Sequence, residues 1–230
     1  MVTTPKSDAL AGPVIQSPAV QSPAEELANT ITHASAAVLS IAGFFVLVLP
    51  AARSGDPVKT ASLAIYTASL VLLYAISTCY HQARPGPRKR ALRIADHSAI
   101  YVLIAGTYTP FMCVFLNGPL GNAIITALWV IAAAGTILKI FFVGRFGALS
   151  TLLYIAMGWT AILAARPIFT HVPHGCVVLL IAGGSAYTGG VVFYRWRRVP
   201  YHHAIWHLFV VTGSALHFIA AWRYVLPATR

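Results

Sequence analysis

The chain has 230 residues, of which 58% are hydrophobic and 9% charged, whereas a soluble domain usually carries about 25% charged residues; with a mean hydropathy of +0.74, a water-soluble fold is excluded. The formal net charge of +11 would suit nucleic acid, but the basic residues fall in short loops between apolar blocks and form no continuous face, so nucleic acid is excluded as a partner and anionic lipid headgroups are expected. Of the five acidic residues, Asp8, Glu25, Glu26 and Asp56 lie outside the apolar blocks, and Asp96 is the exception.

Residues 1–23 are rich in Pro, Ser, Thr and Ala and lack the apolar core of a secretory signal, so they read as a disordered cytoplasmic tail. Ser22-Pro23-Ala24-Glu25 then marks a helix start: Ser at the cap, Pro at the first helical position, Glu three residues after the cap. From there residues 24–230 form one transmembrane domain. A bilayer crossing needs roughly 20 apolar residues as helix, and the apolar blocks give spans near 31–51, 60–81, 94–116, 121–143, 148–165, 174–194 and 204–225. The fourth and fifth are separated only by Gly144-Arg145-Phe146-Gly147, and the fifth is short; one re-entrant unit there would lower the count, but each block is nearly long enough to cross. The expected fold is an all-α integral membrane protein, a bundle of seven transmembrane helices.

Basic residues orient the bundle. Lys6, Arg84, Arg88, Lys89, Arg90, Arg93, Lys139, Arg145, Arg195, Arg197 and Arg198 fall on one side, and Arg53, Lys59, Arg166, Arg223 and Arg230 on the other, a split of 11 to 5. The N-terminus is expected in the cytoplasm and the C-terminus outside. Cys79, Cys113 and Cys176 are an odd number, widely spaced, and read as reduced packing residues. In span six Gly183, Gly184, Ser185, Gly189 and Gly190 permit close helix packing, with Ser185 and Gly189 as a small-xxx-small pair.

Polar residues inside the spans gather at one depth. Ser77 and His81 end span two, Asp96 begins span three, and His203 and His207 begin span seven. Each of the pairs Ser77/His81 and His203/His207 is spaced i, i+4 and shares one helix face. Two imidazoles four apart can bind one metal ion and a third from another helix completes a three-nitrogen site, whose open fourth position would hold water. Such a site favours Zn²⁺, which lowers the pKa of that water to near 7, and Asp96 could hold or deprotonate it. Each residue also has a plainer role. Ser77 would bond its own helix backbone, His81 would sit at headgroup level, Asp96 would pair with Arg93, and the His202-His203 segment would be merely His-rich. Convergence at one depth outweighs these separately.

Glu26, Asn29 and His33, spaced three and four apart at the start of span one, would support the site or form a proton path, unless they only solvate an interfacial helix. His217 lies about 15 Å deeper than His207 and about 80° around the helix, too far to share the ion but placed to support it. His97, His171, His174 and His202 are expected in loops or at the interface, and Lys139 and Arg145 close span four on the cytoplasmic side.

Five separated segments carry a resemblance: Glu25-Glu-Leu-Ala-Asn29-Thr-Ile-Thr-His33, Ser77-Thr-Cys-Tyr-His81, the Asp96–Pro110 stretch, Met157-Gly-Trp159, and Pro200-Tyr-His-His-Ala-Ile-Trp-His207. In these the chain resembles bacterial hemolysin-III-type proteins of the progestin and adiponectin receptor superfamily, over residues 25–225. The resemblance implies seven helices with the N-terminus inside, a bacterial inner-membrane location, and zinc held at His81, His203 and His207, with Asp96 on the metal-bound water and Ser77 nearby. The superfamily is also related to alkaline ceramidases. The leading expectation is therefore a zinc-dependent hydrolase of a lipid amide or ester, in which Asp96 is the base and Ser77 positions the water or helps stabilise the oxyanion. The alternatives are a pore-forming cytolysin and a sensor of lipids or membrane state with structural zinc.

Overall fold

The computed structural model describes residues 21–142 and 146–229, so the predicted tail, apart from its last residues, and Arg145 lie outside it. Among the described residues every element is helical: α1 (Pro23–Arg53), α2 (Pro57–Gln82), α3 (Pro87–Phe115), α4 (Pro119–Phe142), α5 (Gly147–Gly158), α6 (Ala165–His171), α7 (His174–Arg195) and α8 (His202–Ala220). A 3₁₀ segment (Thr160–Ala164) joins α5 to α6, and a π turn (Ala221–Val225) ends α8. With α5 to α6 taken together, and α8 with its π turn, seven segments are long and apolar enough to cross a membrane.

Local chemistry sets the helix starts. Ser22 caps α1 as expected, its hydroxyl accepting from Glu25 N at 3.2 Å while its own N–H donates to Glu25 Oε2 at 2.8 Å. Asp56 caps α2, accepting from Lys59 N at 2.9 Å. Pro occupies the first turn of α1, α2 and α3, where its missing N–H costs no intrahelical bond. α3 begins seven residues before the predicted span. Arg88, Lys89, Arg90 and Arg93, expected in a loop, form its first two turns, because Pro87 starts the helix and Lys, Arg, Ala and Leu are good helix formers.

Span five is longer than predicted and broken. Its backbone leaves α-geometry at Gly158-Trp159, and the Tyr108 hydroxyl of α3 fills the gap, donating to Gly158 O at 2.8 Å and accepting from Ala161 N at 2.9 Å. In lipid a freed peptide group needs such a partner.

The bundle encloses polar groups within an apolar core that includes Leu47, Leu63 and Leu128, and its outer surface is apolar too. Asn29, Thr67, Ser77, His81 and His207 are buried, while Leu39, Phe141 and Leu163 are 68%, 72% and 74% exposed, which only a hydrocarbon solvent makes favourable. In chain order α1 packs on α2, α2 on α3, and α3 on α4; α7 packs on α8, and α8 returns to α1. The close approach of α7 to α8 uses Gly183 and Gly190, where an added Cβ would lie 2.4 Å from the His217 ring and 2.6 Å from Phe209 Cβ. The predicted Ser185/Gly189 pair does not make it: Ser185 is exposed and Gly189 has room for a Cβ. None of the three cysteines is in a disulfide, as anticipated; Cys176 is buried and Cys79 is exposed.

Candidate metal centre

Two helices bring three histidines together at one end of the bundle. His81 is the penultimate residue of α2, and His203 and His207 lie in the first two turns of α8. One ligand atom from each falls within 4.8 Å of the others, and the ring centroids are 4.6–5.2 Å apart. A tetrahedral ion with bonds of 2.0–2.1 Å needs nitrogens about 3.3–3.5 Å apart. Small ring rotations cover the difference.

The start of α8 is fixed from α1. Tyr201, at its N-cap, takes a left-handed φ of 56°, uncommon for a residue with a side chain, and its N–H donates to Glu25 Oε1 at 3.1 Å. Glu25 thus caps its own helix and holds the turn that launches the histidine pair.

The next turns of α1 set which nitrogens are free. His81 Nδ1 lies 2.6 Å from Glu26 Oε2; a carboxylate only accepts, so Nδ1 carries a proton, and in the neutral ring Nε2 keeps its lone pair. His81 Nε2 is buried with no hydrogen-bond partner. The other Glu26 oxygen accepts from Lys89 Nζ at 2.6 Å, joining α1, α2 and α3. His207 Nδ1 lies 3.2 Å from Thr32 Oγ1. That hydroxyl has Ala28 O and Asn29 O, each at 2.9 Å, as acceptors for its single proton; with the proton directed there it accepts from His207 Nδ1, the arrangement that frees His207 Nε2. In that neutral arrangement two of the three rings present Nε2 lone pairs, a donor set able to hold a metal ion.

Asn29 is fully buried and donates to Gln21 Oε1 at 2.7 Å; its amide nitrogen stands 3.5 Å from His81 Nδ1, too far to compete with Glu26. His33 stacks on His207 at 3.5 Å between centroids and meets Tyr74 edge-on at 5.0 Å, and neither of its buried nitrogens has a hydrogen-bond partner. The expected supporting set Glu26, Asn29 and His33 thus converges on the trio. Thr32, which the sequence reading passed over, belongs with it.

Ser77 is buried one turn before His81. Asp96 is half-buried in α3 and is not one of the clustered ligand residues. Its ion-pair partner is His97, at 3.5 Å, in place of the anticipated Arg93. Asp96 acts electrostatically on Tyr80 and Tyr194, whose rings flank His81 and His203 at 4.8 and 5.9 Å. His97, expected in a loop or at the interface, lies within α3 with Nδ1 2.8 Å from Arg93 O. His202 opens α8 with a buried, unpartnered Nδ1. His171 and His174 are exposed at helix ends, as anticipated. His217 turns toward α7, its Nε2 3.1 Å from Leu180 O; its path back to the trio runs by Tyr187, Ser214, Tyr74 and His33, with 2.7 Å hydroxyl contacts on either side of Ser214.

These features define a multi-pass integral membrane protein with a histidine trio, His81 and His207 buried and His203 partly so, able to hold a metal ion. The family model described as Haemolysin-III related matches residues 21–218, and the chain belongs to that family, within the progestin and adiponectin receptor superfamily. It is 45% identical over 203 residues to Hemolysin-3 of Bacillus cereus, covering 88% of this chain and 93% of the relative. A Hemolysin-3 homolog of Bacillus subtilis (strain 168) is 44% identical over 200 residues, with 87% and 94% covered. The human monocyte to macrophage differentiation factor is 30% identical over 207 residues, with 87% and 84% covered. No solved structure matches the chain.

Proposed function

We propose that this protein is a zinc-dependent membrane hydrolase of a lipid amide or ester, with His81, His203 and His207 as the ligands. The observation that carries the reading is the buried, unpartnered Nε2 of His81 within a cluster whose ligand atoms lie within 4.8 Å of one another. A buried nitrogen without a partner costs about 1–3 kcal/mol, and a bound cation would offset that cost. A zinc ion, when bound, would supply a Lewis acid that polarises a carbonyl and makes water acidic near pH 7.

The protein's own residues do the rest. Glu26 and Thr32 hold the rings of His81 and His207 in one tautomer. Asp96 takes the proton of the attacking water and returns it to the departing amine or alkoxide as the C–N or C–O bond breaks. Ser77 positions the water or donates to the oxyanion. His33, stacked on His207, and Asn29 support the ligands and link them to a proton path. In this reading the N-terminus lies on the cytoplasmic side of a bacterial inner membrane, and the helices from α1 onward form the membrane domain.

Cytolysis is the second reading, favoured by the names of the two Bacillus relatives, Hemolysin-3 and its homolog. A paired measurement on Asp96→Asn separates the readings. Zinc content should be kept while release of fatty acid from lipid amides falls about 100- to 10,000-fold, the usual cost of losing a general base. Wild-type protein that binds zinc, turns over no lipid amide or ester and lyses erythrocytes would overturn the hydrolase in favour of the cytolysin.

A further inference from the structure

A second charged group is buried in the bundle, away from the histidines. Lys139, in the last turn of α4, is 5% exposed, although it belongs to a membrane span. Its ammonium donates to Ser150 Oγ of α5 at 2.6 Å, which uses one of its three donors. The three ion pairs among the described residues engage Glu26 and Asp96 with other cations or histidines, and none engages Lys139. The charge acting on it is a further cation, Arg93. An ammonium held out of water with no anion is costly, and an ionisable group inside a membrane calls for a named partner.

Beside Lys139 lies a cavity of about 190 Å³ between α3, α4 and α5. Its polar lining is Tyr101, Lys139 and Ser150; Leu138, Phe142 and Leu149 are among its apolar walls. Those three leucine and phenylalanine side chains are also exposed on the outer, apolar surface of the bundle, so the cavity has a cationic head and a flank continuous with the lipid-facing surface. Gly135 lets the Tyr101 ring lie against α4, since a Cβ there would stand 2.6 Å from it. α4 runs antiparallel to α3, so Lys139 sits at the same end of the bundle as Arg93 and the histidine trio.

We infer that this cavity is a binding site for a phosphate group, carried by an anionic membrane lipid whose chain lies along Leu138, Phe142 and Leu149. Lys139 pairs with the phosphate, and the hydroxyls of Ser150 and Tyr101 add hydrogen bonds to its oxygens. Basic pockets between helices commonly hold lipid headgroups in this way. The inference does not depend on the histidines holding a metal.

The test uses the purified full-length protein in an uncharged detergent, melted with added phosphatidylglycerol, phosphatidylcholine or inorganic phosphate at matched phosphate concentration. Phosphatidylglycerol should raise the melting temperature by about 2–4 °C over phosphatidylcholine. Lys139→Met should abolish that difference, and Arg88→Gln, at an exposed cation outside the cavity, should keep it. Leu149→Trp, which fills the cavity with the charge intact, should also abolish it, and decides the matter if Lys139→Met does not fold. A full phosphatidylglycerol response in Lys139→Met or Leu149→Trp overturns the site. An equal response to inorganic phosphate in the wild type overturns the lipid as its occupant.

Discussion

At the scale of single residues, the histidine positions were legible and their control was not. His203 and His207 announce a shared face by spacing, and His81 joins them because both helices end at one depth. Thr32 sends no such signal, since a threonine in an apolar helix usually bonds its own backbone, and this one does. Only the fold shows that the same oxygen also lies 3.2 Å from His207 Nδ1, where it can accept that ring's proton. Thr32→Val preserves the shape and removes that acceptor, so zinc affinity should fall about 10- to 100-fold, as expected when the outer partner of a metal-bound histidine is lost. Thr32→Ser should bind zinc as the wild type does. Competition against a chelator measures both, and equal affinity in the valine variant would mean that His207 is oriented by something else. Asp96 stood out by charge, but its pairing with His97 was hidden, because neighbours in sequence along a helix do not ordinarily face each other.

At the scale of elements, block hydropathy located all seven crossings and misjudged their ends. α3 starts early because a basic helical turn and a basic loop have the same composition. The break in span five was invisible because its repair comes from Tyr108, in another helix and 50 residues away in sequence. Tyr108→Phe strands the Gly158 carbonyl and the Ala161 N–H, and should cost about 1–3 kcal/mol. Thermal or denaturant unfolding in detergent micelles reads that loss, and an unchanged midpoint would show that the broken turn finds other partners. The first three turns of α1 reach further than any periodicity could suggest: Glu25 to α8, Glu26 to α2 and α3, Thr32 to α8.

For the whole molecule, composition alone dictated an apolar outer surface, with hydroxyls and imidazoles enclosed among buried leucines and other leucine and phenylalanine side chains facing outward. The orientation we propose rests on the 11 to 5 split of basic residues, and the helical run of Arg88 to Arg93 puts those charges at the end where the histidines meet. A periplasmic reporter fused after Arg230 should be active and a cytoplasmic one silent. The opposite result would place the histidine end of the bundle outside the cell and remove the proposed orientation.

The return of α8 to α1 also has a temporal meaning. A ribosome delivers α1 first and α8 last, so a nascent chain that has inserted everything up to α7 owns His81, Glu26 and Thr32 but neither of the other two ligands. One imidazole binds a metal feebly, so ion capture would wait until the final helix leaves the translocon and docks against the first. On the proposed metal site, a chain truncated between α7 and His203 would be membrane-inserted yet lack two of the three ligands, and so hold no ion there.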